Sequence, residues 1–436
     1  MKTNQQTSRR DFLKTSAVLG ATTLGVSTAR TVHAAGSDII KIGLVGCGGR
    51  GCGAVQDAFQ AVPNVKLVAM ADVFDDRAKN ARNVFRDSQS DRVDVPDDRC
   101  FSGLDGYKGV IEHSDVVLIA CASRFHPKYT LATVEAKKHL FVEKPHALDA
   151  AGIKIVQRAT EIAKSNGTAL VSGLCYRYDT LRQEAFQRIA DGEIGEITAV
   201  QSDYIRTPYS LVARQPEWTE TQYQFRNWYH FTWLAGDEIL QSLLHNIDSV
   251  MTAFGDEVPV SAYGIGGRSA MFVETMGDQF DHSAMILNFA DGKRIYGMTR
   301  CATGCFNSNR DVLHGTRGRC FFNATGKPYF TDLKDKKIWT AGERQRSMYV
   351  QEHYDLYTSI QNGKPINDGD RMTRTTFAGI LGFMACRNGQ EVVWDDVVKA
   401  NAVYGPAEED ISLTMETPLK PNADNLYPLN VPGKSA

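Results

Sequence analysis

Three groups of residues have types and spacings suited to chemistry. The first is the run GCGGRG, in which Gly46, Gly48 and Gly51 form G-x-G-x-x-G around Gly49 and Arg50. After a strand and before a helix, such glycines permit a tight turn and a close backbone approach to a pyrophosphate resting on the helix N-terminus. Away from that setting the pattern is only a glycine-rich turn. Asp72 follows Gly51 by 21 residues, at the end of the next apolar run. A carboxylate there accepts hydrogen bonds from the adenosine ribose and repels a 2′-phosphate, which favours NAD; Arg77 keeps NADP open. The second group is Glu143-Lys144-Pro145, directly after the apolar run His139–Val142. Ligands of open α/β sheets bind outside the carboxyl ends of the strands, so Lys144 stands where a nicotinamide and a substrate hydroxyl would meet, although Lys-Pro after a strand is often just a turn. The third is Gln241, His245 and Asp248, at i, i+4 and i+7 of a segment whose apolar residues recur at helical spacing. That stripe is either a solvated edge or the wall of a reaction site.

The elements around these residues set the fold expected. Short β-branched runs at Ile39–Val45, Val65–Asp72, Val116–Cys121, His139–Val142 and Ala169–Gly173 alternate with helical stretches, clearest at Phe125–Lys138 and Asp149–Asn166. Alternation of this kind predicts a doubly wound parallel sheet of Rossmann type. Beyond Cys175 the pattern changes. Ile197–Ile205, Ser283–Ala290 and Lys293–Arg300 read as strands, the last two joined at Asp291-Gly292, and Val260–Gly264 and Cys320–Phe322 add to them. The expected architecture is therefore α/β, an N-terminal Rossmann sheet followed by a C-terminal α/β domain with a largely antiparallel open sheet. Boundaries fall at 38–175 for the nucleotide domain, 176–385 for the substrate and oligomerisation domain, and 386–436 for an extension packing back on the body. An apolar helix is expected at Phe377–Ala385.

Residues 1–34 read as a twin-arginine signal peptide. Arg9-Arg10 is followed by Phe12 and Lys14, a Gly/Thr-diluted apolar run too short and polar to span a bilayer, and a small-residue exit at Val32-His33-Ala34. The twin-arginine translocase, an exported destination and the lack of a membrane anchor follow as expectations. The formal net charge of −2, with no basic stripe, excludes nucleic acid as an expected partner. Nine cysteines at irregular spacing, without C-x-x-C, do not form a disulfide framework or support a metal site; Cys301 and Cys305 read as free thiols.

Taken in order, GLVGCGGRG, ADVFDDR, ACASRFHPKY, FVEKPHAL, YRYD and GDEILQSLLHNID make nearly the whole mature chain resemble the family named for glucose–fructose oxidoreductase, inositol dehydrogenase and the rhizopine catabolism protein (Gfo/Idh/MocA). The resemblance implies a sugar or cyclic polyol bound between the domains, an open sheet that mediates homo-oligomers, and cofactor contacts that extend to Ser123, His126 and Glu143. It implies that Lys144 hydrogen-bonds the reacting hydroxyl and that His245 exchanges its proton, with Asp248 as neighbour. An imidazole titrating near neutrality and an ammonium beside a developing alkoxide suit that chemistry. This chain departs from the family at Gln241, where an acid is usual; an amide can hold a hydroxyl or a histidine tautomer but cannot take a proton. Arg177, Tyr204, Arg226, Trp228 and His230 are candidates for substrate contact. The function expected is exported NAD(P)-dependent oxidation or reduction of a secondary hydroxyl, on a cofactor loaded before export. Two alternatives stand beside it: NAD-dependent glycoside hydrolysis or lysis by transient oxidation of a ring carbon, and a non-catalytic binding homologue.

Overall fold

The computed structural model describes residues 39–269, 276–324 and 326–434; the twin-arginine motif at Arg9-Arg10 lies outside the described residues. The described residues belong to one compact unit. Its first sheet contains β1 (Ile40–Val45), β2 (Val65–Asp72), β3 (Cys100–Ser102), β4 (Val116–Ile119), β5 (His139–Val142) and β6 (Leu170–Ser172), in the order β3-β2-β1-β4-β5-β6. Every pairing in it is parallel. Ile42, Leu44, Leu67, Val117, Leu118 and Phe141 are fully buried, because helices on both faces of such a sheet shield it from water. β3 is the one strand of this sheet without an apolar run to announce it; its three residues are Cys-Phe-Ser. The order reverses between β1 and β4, and the crevice at that switch point is where such folds take ligands.

The second sheet has nine strands in the order β14-β13-β12-β11-β7-β10-β9-β8-β15. They are β7 (Ile197–Arg206), β8 (Ser261–Gly267), β9 (His282–Asn288), β10 (Arg294–Cys301), β11 (Ser308–Gly315), β12 (Gly318–Asn323), β13 (Tyr329–Asp332), β14 (Lys337–Thr340) and β15 (Val392–Val393). All pairs are antiparallel except β7 with β10. The hairpin expected at Asp291-Gly292 is present, with Gly292 at φ 91°. β11, β13, β14 and β15 lack the clean alternation that marks a half-buried strand. The helix Gly369–Asn388 is more than twice the length anticipated, because its first half carries Thr, Arg and Asp beside the apolar residues.

One face of this sheet packs on Gly369–Asn388 and on the segment carrying Gln241 and His245. The other is open: Tyr263 pairs with Ile286 and Ile286 with Tyr296, while Ile265 pairs with Ala284 and Ala284 with Met298. Ile265 is 72% exposed and Tyr263 42%.

The amphipathic segment that carries the polar stripe is not one regular helix. Ile239–Leu243 is a π-helical turn, and the α-helix α1 (Leu244–Ala253) begins only after it. A π turn advances by more than 3.6 residues, so a regular α-helical phase does not hold along the whole segment.

Candidate active site

β1 runs into the glycine turn, and the helix Gly49–Ala61 starts on Gly48. Gly46 has φ 97°, and a Cβ on Gly51 would lie 1.9 Å from the carbonyl oxygen of Gly46, so this turn excludes side chains where helix meets strand. A Cβ on Gly48 or Gly49 would meet nothing within 4 Å. That open space belongs to a cleft of about 230 Å³ lined by Gly46, Gly48, Gly49, Arg50, Asp72 and Arg77 on one side and by Ser210, Val212, Trp228 and Tyr229 on the other. Its donor set of helix N-terminus, glycine turn and terminal carboxylate fits a dinucleotide. Asp72 Oδ2 accepts from the backbone N–H of Cys47 at 2.9 Å and Oδ1 from that of Phe74 at 3.0 Å, which fixes the carboxylate on the cleft wall. Burial pushes its pKa up, and these two bonds oppose the rise.

Arg50 points away from the turn. Its Nε donates to Glu143 at 2.5 Å, Nη1 to Asp57 at 2.9 Å and Nη2 to the fully buried Glu352 at 3.4 Å. The glycine turn and the Glu143-Lys144-Pro145 turn are therefore tied together by one ion pair. His126 lies between carbonyls, Nδ1 2.7 Å from Pro145 O and Nε2 3.1 Å from Cys121 O. It clamps the end of β4 to the turn after β5. The Ser123 hydroxyl is buried without a hydrogen-bond partner among the described residues.

Lys144 leaves the end of β5 and donates from Nζ to the backbone carbonyl of Gln241. Burial lowers its pKa, with the charge of Glu143 opposing. His245 opens α1, its Nδ1 4.0 Å from the Sγ of Cys175 and its ring 5.2 Å from that of Tyr176. Burial, reinforced by Lys144, Arg182 and Arg50, holds the imidazole well below its ordinary pKa, so it is neutral. Lys144 and His245 do not line the nucleotide cleft itself; they stand on the side of Glu143 and Gln241.

The rest of the polar stripe has different tasks. Gln241 Nε2 donates to the Tyr229 carbonyl at 2.8 Å, and its buried Oε1 has no partner among the described residues. Asp248 is fully buried and accepts from Arg177 Nε at 2.8 Å on each oxygen and from Thr375 Oγ1 at 2.8 Å, with Arg177 Nη2 2.7 Å away in the same ion pair. Arg177 Nη1 is 2.8 Å from Asp256. Asp248 is thus bonded to Arg177 and Thr375 rather than to His245, and the Arg177 guanidinium meets two carboxylates of its own chain, its Nη2 without a hydrogen-bond partner among the described residues.

Arg226 pairs with Asp76 at 3.0 Å and lies 3.9 Å over the ring of Phe74, at the Asp72 end of the cleft rather than beside Lys144. The His230 ring is buried, with Nε2 3.5 Å from the Ser210 carbonyl. Trp228 stacks on Tyr229 at 3.8 Å on the cleft wall. Tyr204 is half-buried on β7, and burial beside Tyr176 and Tyr209 pushes its phenol up.

Several groups escaped the sequence reading. Arg206 Nη2 pairs with the buried Glu238 at 3.1 Å and its guanidinium lies 3.3 Å from the centre of the Tyr209 ring, which in turn packs on Tyr229 at 4.3 Å. Arg182 lies 3.8 Å over the Tyr176 ring that packs on His245. Only the aromatic density of YRYD and RNWYHFTW hinted at this lining; the charges that organise it are dispersed along the chain.

Residues 40–173 match the family model described as "Oxidoreductase family, NAD-binding Rossmann fold" (GFO_IDH_MocA), residues 187–397 that of "Oxidoreductase family, C-terminal alpha/beta domain", and residues 6–25 the twin-arginine translocation signal. Among curated relatives, the chain is 25% identical to glycosyl hydrolase family 109 protein 1 of Bacteroides fragilis over 38% of this chain and 35% of that protein. It is 29% identical to inositol 2-dehydrogenase of Acidothermus cellulolyticus over 53% of this chain and 58% of the relative. The matched stretch thus spans about a third to somewhat over half of these relatives. A solved aldose-aldose oxidoreductase from Caulobacter crescentus shares the fold, with TM-score 0.65, 18% identity, and coverage of 81% of this chain and 99% of that one.

Proposed function

The chain belongs to the Gfo/Idh/MocA oxidoreductase family and carries the twin-arginine export signal, and from that premise we propose that it transfers a hydride between a firmly held NAD and a secondary hydroxyl of a sugar or cyclic polyol. The observation that carries the reading is the pair of desolvated groups Lys144 and His245, near enough for the lysine's charge to help depress the imidazole and joined to the glycine turn through Glu143 and Arg50. Bound nicotinamide would supply the hydride acceptor or donor. The chain's own residues do the rest. Neutral His245 takes the hydroxyl proton on Nε2, since Nδ1 faces Cys175, and Lys144 donates to the same oxygen as it gains negative charge. Glu143, held by Arg50, keeps the lysine turn in register with the nucleotide turn. Gly46, Gly48, Gly49 and Gly51 would cradle the pyrophosphate and Asp72 the ribose, which favours NAD over NADP even though Arg77 is close by. The open face of the second sheet, with Tyr263, Ile265, Tyr296 and Met298 exposed, supports self-association.

A second reading is favoured by the similarity to a glycosyl hydrolase family 109 protein. Oxidation of a ring carbon, elimination of the glycosidic group, addition of water to the resulting enone and reduction back would hydrolyse a glycoside without net change in NAD. One experiment tests both readings: mass spectrometry of nucleotide released from the purified mature protein, then a screen of sugars, inositols and aryl glycosides that follows nicotinamide absorbance and sugar release. Lasting change of absorbance with a free sugar or polyol supports net redox chemistry; sugar release without it supports the hydrolase. A protein that carries no nucleotide and binds no NAD overturns both.

A further inference from the structure

The far wall of the nucleotide cleft is supplied by the segment between β7 and α1. Ser210, Val212, Phe225, Arg226, Trp228 and Tyr229 face Gly46, Asp72 and Arg77 across it. Three features make this segment a built roof rather than a loose loop. Asn227 grips the loop with both ends of its amide, Oδ1 accepting from Val212 N at 2.7 Å and Nδ2 donating to Val212 O at 3.0 Å. Thr219 and Gln222 cap the helix Glu220–Arg226 reciprocally. Phe225 packs on Phe125, which follows β4, at 5.9 Å.

At its adenosine end the roof is fastened to the nucleotide domain. Arg226 donates two hydrogen bonds to Asp76, at 3.0 and 3.3 Å, its guanidinium lies over Phe74 at 3.9 Å, and Arg77 Nη2 donates to the Arg226 carbonyl at 3.4 Å. Phe74, Asp76 and Arg77 directly follow Asp72, the carboxylate at the ribose position. The roof therefore crosses the cleft and is bolted to the strand end that holds the adenosine.

We propose that the Arg226–Asp76–Phe74 clasp is a retention device: it must open for dinucleotide to leave, and so keeps the cofactor on the folded protein through export. The proposal rests on the NAD reading above. A bidentate guanidinium that also stacks on an aromatic face is a contact that lysine does not reproduce. Asp76 is 57% exposed in the pair, so added salt weakens the clasp without dismantling the fold.

The test is the rate at which bound NAD is released, measured after rapid dilution by nucleotide fluorescence and by mass spectrometry of what remains. Arg226→Ala and Asp76→Ala are expected to release NAD about tenfold faster than the parent protein, a change that corresponds to about 1.4 kcal/mol. Release from the parent is expected to quicken with salt. The double swap Arg226→Asp with Asp76→Arg is expected to slow release again, which separates a lost clasp from a damaged fold. Parent-like retention in both single variants overturns the clasp while leaving the NAD reading intact. Failure of the parent protein to bind NAD at all overturns both.

Discussion

Asp248→Asn separates two roles for the residue next to the proposed base. If Asp248 acted on His245, the substitution would slow turnover and leave the fold alone. The structure points the other way. The carboxylate is fully buried, shares the Arg177 Nε–H between its two oxygens, lies 2.7 Å from Arg177 Nη2 and accepts from Thr375. Its amide analogue would leave the guanidinium buried beside a neutral group and place an N–H against it. Breaking one partner of a buried ion pair costs about 3–5 kcal/mol. Arg177 keeps its contact with Asp256, so the lower end, about 3 kcal/mol, is expected. With an unfolding entropy of about 2.1 cal/mol/K per residue over roughly 400 residues, that is a fall in Tm of ~4 °C. The assay is thermal melting of the NAD-loaded protein alongside single-turnover hydride transfer. The companion Arg177→Met with Asp248→Asn removes the buried charge too and is expected to recover much of the loss. An Asp248→Asn protein whose melting is unchanged but whose hydride transfer is a hundredfold slower would refute the reasoning.

Since burial and nearby cations hold His245 below its usual pKa, the base stays neutral as pH falls through 6.5; the transfer rate should drop less than twofold from pH 7.5 to 6.0, where an ordinary imidazole at 6.5 would cost about fourfold. Lys144→Ala removes the donor to the developing alkoxide and is expected to lower kcat by about 10²–10³, read in the same single-turnover assay. Replacing Asp72 with Ser removes the charge that repels a 2′-phosphate while Arg77 remains, so the ratio of NADP to NAD affinity should rise by at least about tenfold (1.4 kcal/mol) in a binding titration. Ile265→Lys places a charge on the open sheet face and is expected to reduce the oligomer seen by light scattering; an unchanged mass would show that this face is not the interface.

Much of the site was legible because its parts are local. The glycine turn, Asp72 at the end of β2 and Lys144 at the end of β5 each lie where a strand stops, and strand ends are marked by apolar runs of a few residues. His245 was marked by position on an amphipathic segment. The same reasoning took the segment as one regular α-helix, since nothing in ILQSL announces the π turn. Arg177 and Arg226 both read as polar groups available to a sugar. One is instead paired with a carboxylate 71 residues away and the other with one 150 residues away.

The sequence by itself determined the two sheet types, the nucleotide turn and the chemical identity of the proposed base and alkoxide partner, because these depend on periodicity and on residue type over short spans. Tertiary structure alone decided which charges are spent on the protein and which face the cleft. An arginine's role is set by the nearest carboxylate in space, and burial makes that pairing obligatory, since a guanidinium or carboxylate removed from water without a partner costs several kcal/mol.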